Sequence, residues 1–147
     1  MLTLKDITDA QGRLAEPAWL ARAEATHREL RPTLPPDYAA RLAEVFANGA
    51  RMSVAIQDEA VLGVAVWRII ENTYEGRRLY VDDLVTTARA RSGGVGKALM
   101  AHLQETARGL GCNVIALDSG TQRTDAHRFY FREGFVIPSF NFRKALS

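Results

Sequence analysis

The chain has 147 residues, 47% hydrophobic and 24% charged, enough apolar surface for one domain core without disulfide or metal staples. Its 19 basic and 17 acidic side chains leave a net charge of +2, too balanced to point to nucleic acid, and the single Cys112 excludes an intrachain disulfide or a multi-cysteine metal site. No apolar run reaches bilayer-spanning length, and the first residues lack the charged-then-apolar order of a secretory leader, so a cytoplasmic protein with no membrane partner is expected.

In chain order, Leu2 to Ile7 reads as a short strand. Gln11 to Leu30 is helical in composition, with Pro17 breaking or restarting the helix. Pro32, Pro35 and Pro36 end that run. A second helix carries Tyr38, Leu42, Val45 and Phe46 on one face and stops at Asn48-Gly49. Met52 to Gln57 and Val61 to Ile70 read as a hairpin turning at Asp58-Glu59. After a turn around Gly76, Leu79 to Thr86 reads as a buried strand interrupted by Asp82 and Asp83. Gly94 to Leu110 is the clearest helix, with Val95, Leu99, Leu103 and Leu110 at the helical period and Gly111 as its cap. Asn113 to Leu117 is a short strand, Thr124 to Arg132 a helix ended by Gly134, and Phe135 to Lys144 a last strand or hairpin bent at Pro138. The order predicts one domain, 1–147, of mixed α/β class with helices on both faces of a sheet.

The most informative segment is Arg91-Ser92-Gly93-Gly94-Val95-Gly96-Lys97, between a buried strand and a strong amphipathic helix. Glycines allow a sharp turn and close backbone approach, and the first helical N–H groups lack acceptors, so the segment suits a phosphate. A Walker A loop needs Ser or Thr after the lysine, where Ala98 stands, and also lacks its upstream glycine spacing. A dinucleotide fingerprint needs a third glycine where Leu99 stands. The pattern R-x-x-G-x-G is met by Arg91, Gly94 and Gly96. A plain connecting turn is the remaining alternative.

With a second segment, Ala126-His127-Arg128-Phe129-Tyr130-Phe131-Arg132-Glu133-Gly134-Phe135, the chain resembles the GNAT superfamily of acyl-CoA-dependent N-acetyltransferases. The first segment matches that family's pyrophosphate motif and the second its later A-x-x-F-Y-x-x-x-G-F helix and strand. The strand order is similar over essentially the whole chain. Residues 123–130 and 140–146 further resemble the C-terminal half of aminoalkylphosphonate N-acetyltransferases. The resemblance implies a mixed, mostly antiparallel sheet flanked by helices, acetyl-CoA as acetyl donor, an amine acceptor and a homodimer. It makes Leu84, Val85 and Thr86 the backbone contacts to the pantetheine arm. It makes Arg91, Ser92, Gly93, Gly94, Val95, Gly96 and Lys97 the holders of the pyrophosphate. Ser92-Gly93 departs from the commoner Gly-Arg or Gly-Lys, and Arg123 stands where many relatives have Asn.

Acetyl transfer needs a neutral amine and a protonated leaving thiolate. Tyr130, a phenol protonated at neutral pH, is the candidate acid, placed near the thioester sulfur by the resemblance; packing in the Phe129–Phe131 cluster is the alternative. Asp83 is the candidate base, with Glu71 next. Strand neighbours Asp82 and Asp83 should point to opposite faces, so at most one faces a given pocket, and pairing with Arg68, Arg77 or Arg78 is the alternative. His27, His102 and His127 show no metal-ligand spacing, so no metal is expected. His27 is read as part of a solvated helical face, like Arg22, Arg28 and Arg31, which offer themselves to an acidic acceptor only as an alternative. Two rival functions are a protein N-terminal or lysine acetyltransferase and a non-catalytic acyl-CoA sensor.

Overall fold

A computed structural model describes residues 1–91 and 93–147, which form two compact units, Met1–Ala116 and Leu117–Ser147. The first unit is built on a sheet. β1 (Thr3–Asp6), β2 (Arg51–Gln57), β3 (Ala60–Asn72) and β4 (Gly76–Thr86) pair antiparallel in sequence order, and β5 (Val114–Leu117) joins beside β4. Asp58 and Glu59 close the β2–β3 hairpin with φ of 51° and 65°, the positive pair that a two-residue turn needs to match strand twist.

Alternation along the strands separates two faces. Met52, Val54, Ile56, Val64 and Val66 pack with α1 (Pro17–Leu30) and α2 (Tyr38–Ala47) through Leu20, Ala23, Leu42 and Phe46. The opposite face takes α3 (Val95–Gly109). It approaches closely because β3 has Gly63 there: a Cβ at that position would lie 2.7 Å from Leu99 Cδ1 and 2.8 Å from Val95 Cγ1. Pro17 starts α1 at a position whose N–H needs no helical partner, so the predicted helix loses residues 11–16, which instead turn and bridge Thr8 to Leu14. Asp37 Oδ1 accepts from Ala40 N at 3.1 Å and caps α2. Gly111, at φ 75°, ends α3 while Cys112 N donates back to Ala107 O.

In the second unit, α4 (Thr124–Arg132) falls where predicted, and Gly134 at φ 90° follows it. The expected last strand over Phe135 to Lys144 does not form. These residues enter no ladder, Pro138 has no N–H to donate, and Phe140 and Phe142 are exposed. Among the described residues no helix is long and apolar enough to cross a membrane.

Candidate active site

Beyond β4 the chain makes successive tight turns. Thr87 N donates to Leu62 O, Ala90 N to Thr87 O and Gly93 N to Ala90 O. Gly94 then caps α3 at φ 82°, a left-handed conformation that any side chain would strain. Ala98 N to Gly94 O is the first bond of the helical ladder, so the N–H groups of Val95 and Lys97 find no described carbonyl. An open groove of about 450 Å³ lies against this turn, lined by Gln57, Leu62, Arg89, Ala90, Arg91, Gly93 and Val95. The structure thus brings Arg91, Gly93 and Val95 of the predicted set to one groove, while Gly94 caps α3 and Gly96 and Lys97 lie in its first turn, outside the groove's lining. It adds Arg89, and Ser92 lies outside the described residues. Arg89 went unnoticed because a three-residue 3-10 turn, Ala88–Ala90, has no periodicity to read.

Upstream, the register of β3 and β4 slips by one residue. Val66 pairs with Asp83 and Trp67 with Val81, which leaves Asp82 as a β-bulge. The bulge overturns the expectation that the two aspartates face opposite ways. Asp82 Oδ2 meets Arg68 Nε and Nη2, while Arg68 Nη1 donates to Asn48 O at the end of α2, and Asp83 meets His27 of α1 and Arg31 just beyond it. Both carboxylates therefore serve the α1–α2 face. Leu84, Val85 and Thr86 follow the bulge and pair with β3 on one side, Val85 with Val64 and Thr86 with Gly63. On the other side β5 begins where Asn113 N donates to Arg77 O, far back along β4.

Asp83 is held from two directions. His27 Nε2 lies 2.7 Å from Oδ2, while Arg31 places Nε at 2.7 Å and Nη2 at 2.6 Å from Oδ1. Burial alone would raise the Asp83 pKa, but the hydrogen bonds and charges of His27 and Arg31 outweigh it and hold the carboxyl below the usual range. His27 is only 2% exposed, contrary to the solvated face expected of it, and its Nδ1 meets the Tyr38 hydroxyl at 2.8 Å. With Asp83 ionised, Nε2–H donates to the carboxylate, and Nδ1 shares the second hydrogen bond with the Tyr38 hydroxyl. Burial raises the Tyr38 pKa, so its hydroxyl keeps its proton. A signal for His27 was present in the stripe Leu20, Ala23, His27, spaced as one helical face. Arg22 is engaged by Glu59, Arg28 by Glu24 and the carbonyls of Leu34 and Pro35, and Glu71 by Arg77.

In the second unit Tyr130 lies edge-on to Phe129 and Phe135, with ring centroids 5.4 and 5.7 Å away. Burial raises its pKa against an opposing effect of Arg123, and among the described residues its hydroxyl has no hydrogen-bond partner. His127 Nε2 sits 2.8 Å from Gly120 O.

A mostly antiparallel sheet bulged in its fourth strand and followed by a glycine turn into a helix is the arrangement of an acetyltransferase fold. The chain belongs to the acetyltransferase (GNAT) family, whose model matches residues 16–135. It is 49% identical over 72 residues to the uncharacterized N-acetyltransferase YhdJ of Bacillus subtilis, covering 48% of this chain and 51% of that one. It is 39% identical over 66 residues to an aminoalkylphosphonate N-acetyltransferase of Salmonella typhimurium, covering 45% and 43%. The matches thus span about half the length of these curated relatives. Among solved structures, the aminoglycoside N-acetyltransferase AAC(6')-Iy in complex with CoA superposes with a TM-score of 0.83 at 19% identity, covering 100% of this chain and 96% of that one, a likeness of fold.

Proposed function

We propose that this chain transfers the acetyl group of acetyl-CoA to the amine of a small molecule by direct attack. The observation that carries the reading is the groove at the start of α3, where Arg89 and Arg91 join backbone N–H groups that lack a described carbonyl. Two guanidinium groups beside a helix N-terminus suit a pyrophosphate, and the left-handed Gly94 lets the backbone come close. Arg91, Gly93, Gly94, Val95, Gly96 and Lys97 hold it in this reading, with Ser92 between them. The backbone of Leu84, Val85 and Thr86 pairs with the amide groups of the pantetheine arm.

When bound, acetyl-CoA supplies a thioester whose carbonyl is open to attack and whose sulfur leaves as a thiolate. The N–C bond forms as the C–S bond breaks, the amine gives up one proton and the thiolate takes one. Tyr130 supplies the proton to sulfur in this account. Its raised pKa keeps it protonated at neutral pH, and its hydroxyl has no competing partner among the described residues.

Asp83 acts on the acceptor side, and its partners shape that role. A primary ammonium has a pKa near 10.4, and presenting it neutral costs about 4 to 5 kcal/mol at pH 7. A carboxyl held below its ordinary value of 3.8 lies so far below the ammonium that it is a poor final home for the proton. As a fixed anion it draws in the amine and orients it, while the proton leaves through water. Arg31 occupies Oδ1 twice and His27 occupies Oδ2 once, which leaves Oδ2 one lone-pair direction for an amine. The small-molecule acceptor is supported by the aminoalkylphosphonate relative.

The test is release of free CoA from acetyl-CoA across a panel of aminoalkylphosphonates, polyamines, amino acids, aminoglycosides and short peptides. Turnover with small amines is the expected result. Turnover confined to peptides would replace the acceptor class. CoA binding without turnover on any amine would favour the sensor.

A further inference from the structure

The last turn of α1 reaches the cofactor turn through a residue that neither the motif nor the proposed chemistry uses. Glu29 accepts a hydrogen bond from the Thr87 hydroxyl at 2.7 Å and a second from Ala88 N at 3.0 Å. It sits one residue before the end of α1, where the helix dipole disfavours a negative charge, so helix stability does not account for an acid there. Its partner is firmly seated: Thr87 is 2% exposed and its own N–H donates to Leu62 O in β3. From this anchor the Thr87–Ala90 and Ala90–Gly93 bonds carry the backbone to the glycines of the groove.

We infer that Glu29 is a positioning residue for acetyl-CoA binding: by fixing Thr87 and Ala88 it sets how Arg89, Arg91 and Gly93 face the groove. The inference rests on the reading of that groove as the cofactor site. Two effects of the carboxylate oppose each other. Its charge acts on Arg89 and Arg91 and repels an incoming phosphate, while its hydrogen bonds order the backbone that receives the phosphate. Glu29 is exposed, so water and salt screen the repulsion. The two hydrogen bonds act on a fixed geometry and are charge-assisted, which makes the ordering effect the larger.

The experiment is calorimetric titration of CoA into the full chain and into Glu29→Ala, Glu29→Gln, Thr87→Val and the Glu29→Ala/Thr87→Val double variant, with melting temperatures alongside. Glu29→Ala should weaken CoA about tenfold and Thr87→Val about threefold, less than the broken bonds themselves are worth, because only the ordering of the turn and not a ligand contact is lost. Glu29→Gln, which keeps one acceptor, should recover part of the loss. The double variant should bind within about twofold of Glu29→Ala, because both substitutions break the same contact. The loss should fall on the KM for acetyl-CoA more than on kcat. Unchanged or tighter binding by Glu29→Ala would overturn the inference, as would single effects that multiply in the double variant. Failure of the unaltered protein to bind CoA would instead overturn the cofactor reading beneath it.

Discussion

The two units divide the proposed chemistry unequally. Met1–Ala116 holds the deep core, with Leu79, Leu99, Met100 and Leu103 at 0% exposure, and it carries the groove and the Asp83 network. In Leu117–Ser147, α4 has no buried residue, and Phe131 is 55% exposed and Phe142 94% exposed. Binding groups are thus placed on elements with a packed interior, whereas Tyr130 sits on an element of low local packing. Such segments open at lower free energy than core elements. Substitutions in the first unit should therefore report on stability and binding, and those in the second on turnover.

The sharpest contrast comes from truncating one apolar side chain in each unit. Leu99→Ala removes a fully buried side chain behind Gly63 and should cost about 3 kcal/mol in urea unfolding. An equal cost for Phe131→Ala would break the comparison. Asp83→Asn comes next. It leaves His27 and Arg31 facing a neutral amide and should cost about 2 kcal/mol at pH 7. The Asp83 pKa is lower in the folded protein than its ordinary value of 3.8, so its stabilisation is complete well above that value and is lost as pH falls through the folded pKa. The gap between unaltered protein and Asp83→Asn should accordingly begin to narrow as pH falls below about 4 and go on narrowing toward the folded pKa; a constant gap down to pH 2 would contradict the ion-pair account.

Gly94→Ala is smaller. Among the described residues nothing lies within 4 Å of the added Cβ, so the left-handed φ of 82° is what is penalised, at about 1 kcal/mol. Weaker CoA binding should accompany it, measured by calorimetry. Phe131→Ala closes the series, within about 0.5 kcal/mol of the unaltered protein.

Legibility in the sequence follows the same division by physical cause. The glycine at 134 made the end of α4 readable, and the hairpin at Asp58-Glu59 and the α3 stop at Gly111 were equally plain. The bulge was not. It shifts register by one residue between two adjacent aspartates, so the pattern of polar and apolar residues is the same with or without it. His27 was misjudged by residue type although its helical spacing pointed inward, and Glu29 and Arg89 act through contacts distant in sequence or through a turn too short to show a pattern. The tail from Phe135 alternates poorly around Pro138, and a strand needs a ladder partner that local sequence does not name.

Most directly, the account is tested by single-turnover acetyl transfer to the best small amine, comparing the unaltered protein with Tyr130→Phe. The phenol as acid predicts a rate lower by about 10²-fold or more, with CoA affinity and melting temperature essentially unchanged. A near-normal rate in a folded variant that still binds CoA would contradict the role given to Tyr130.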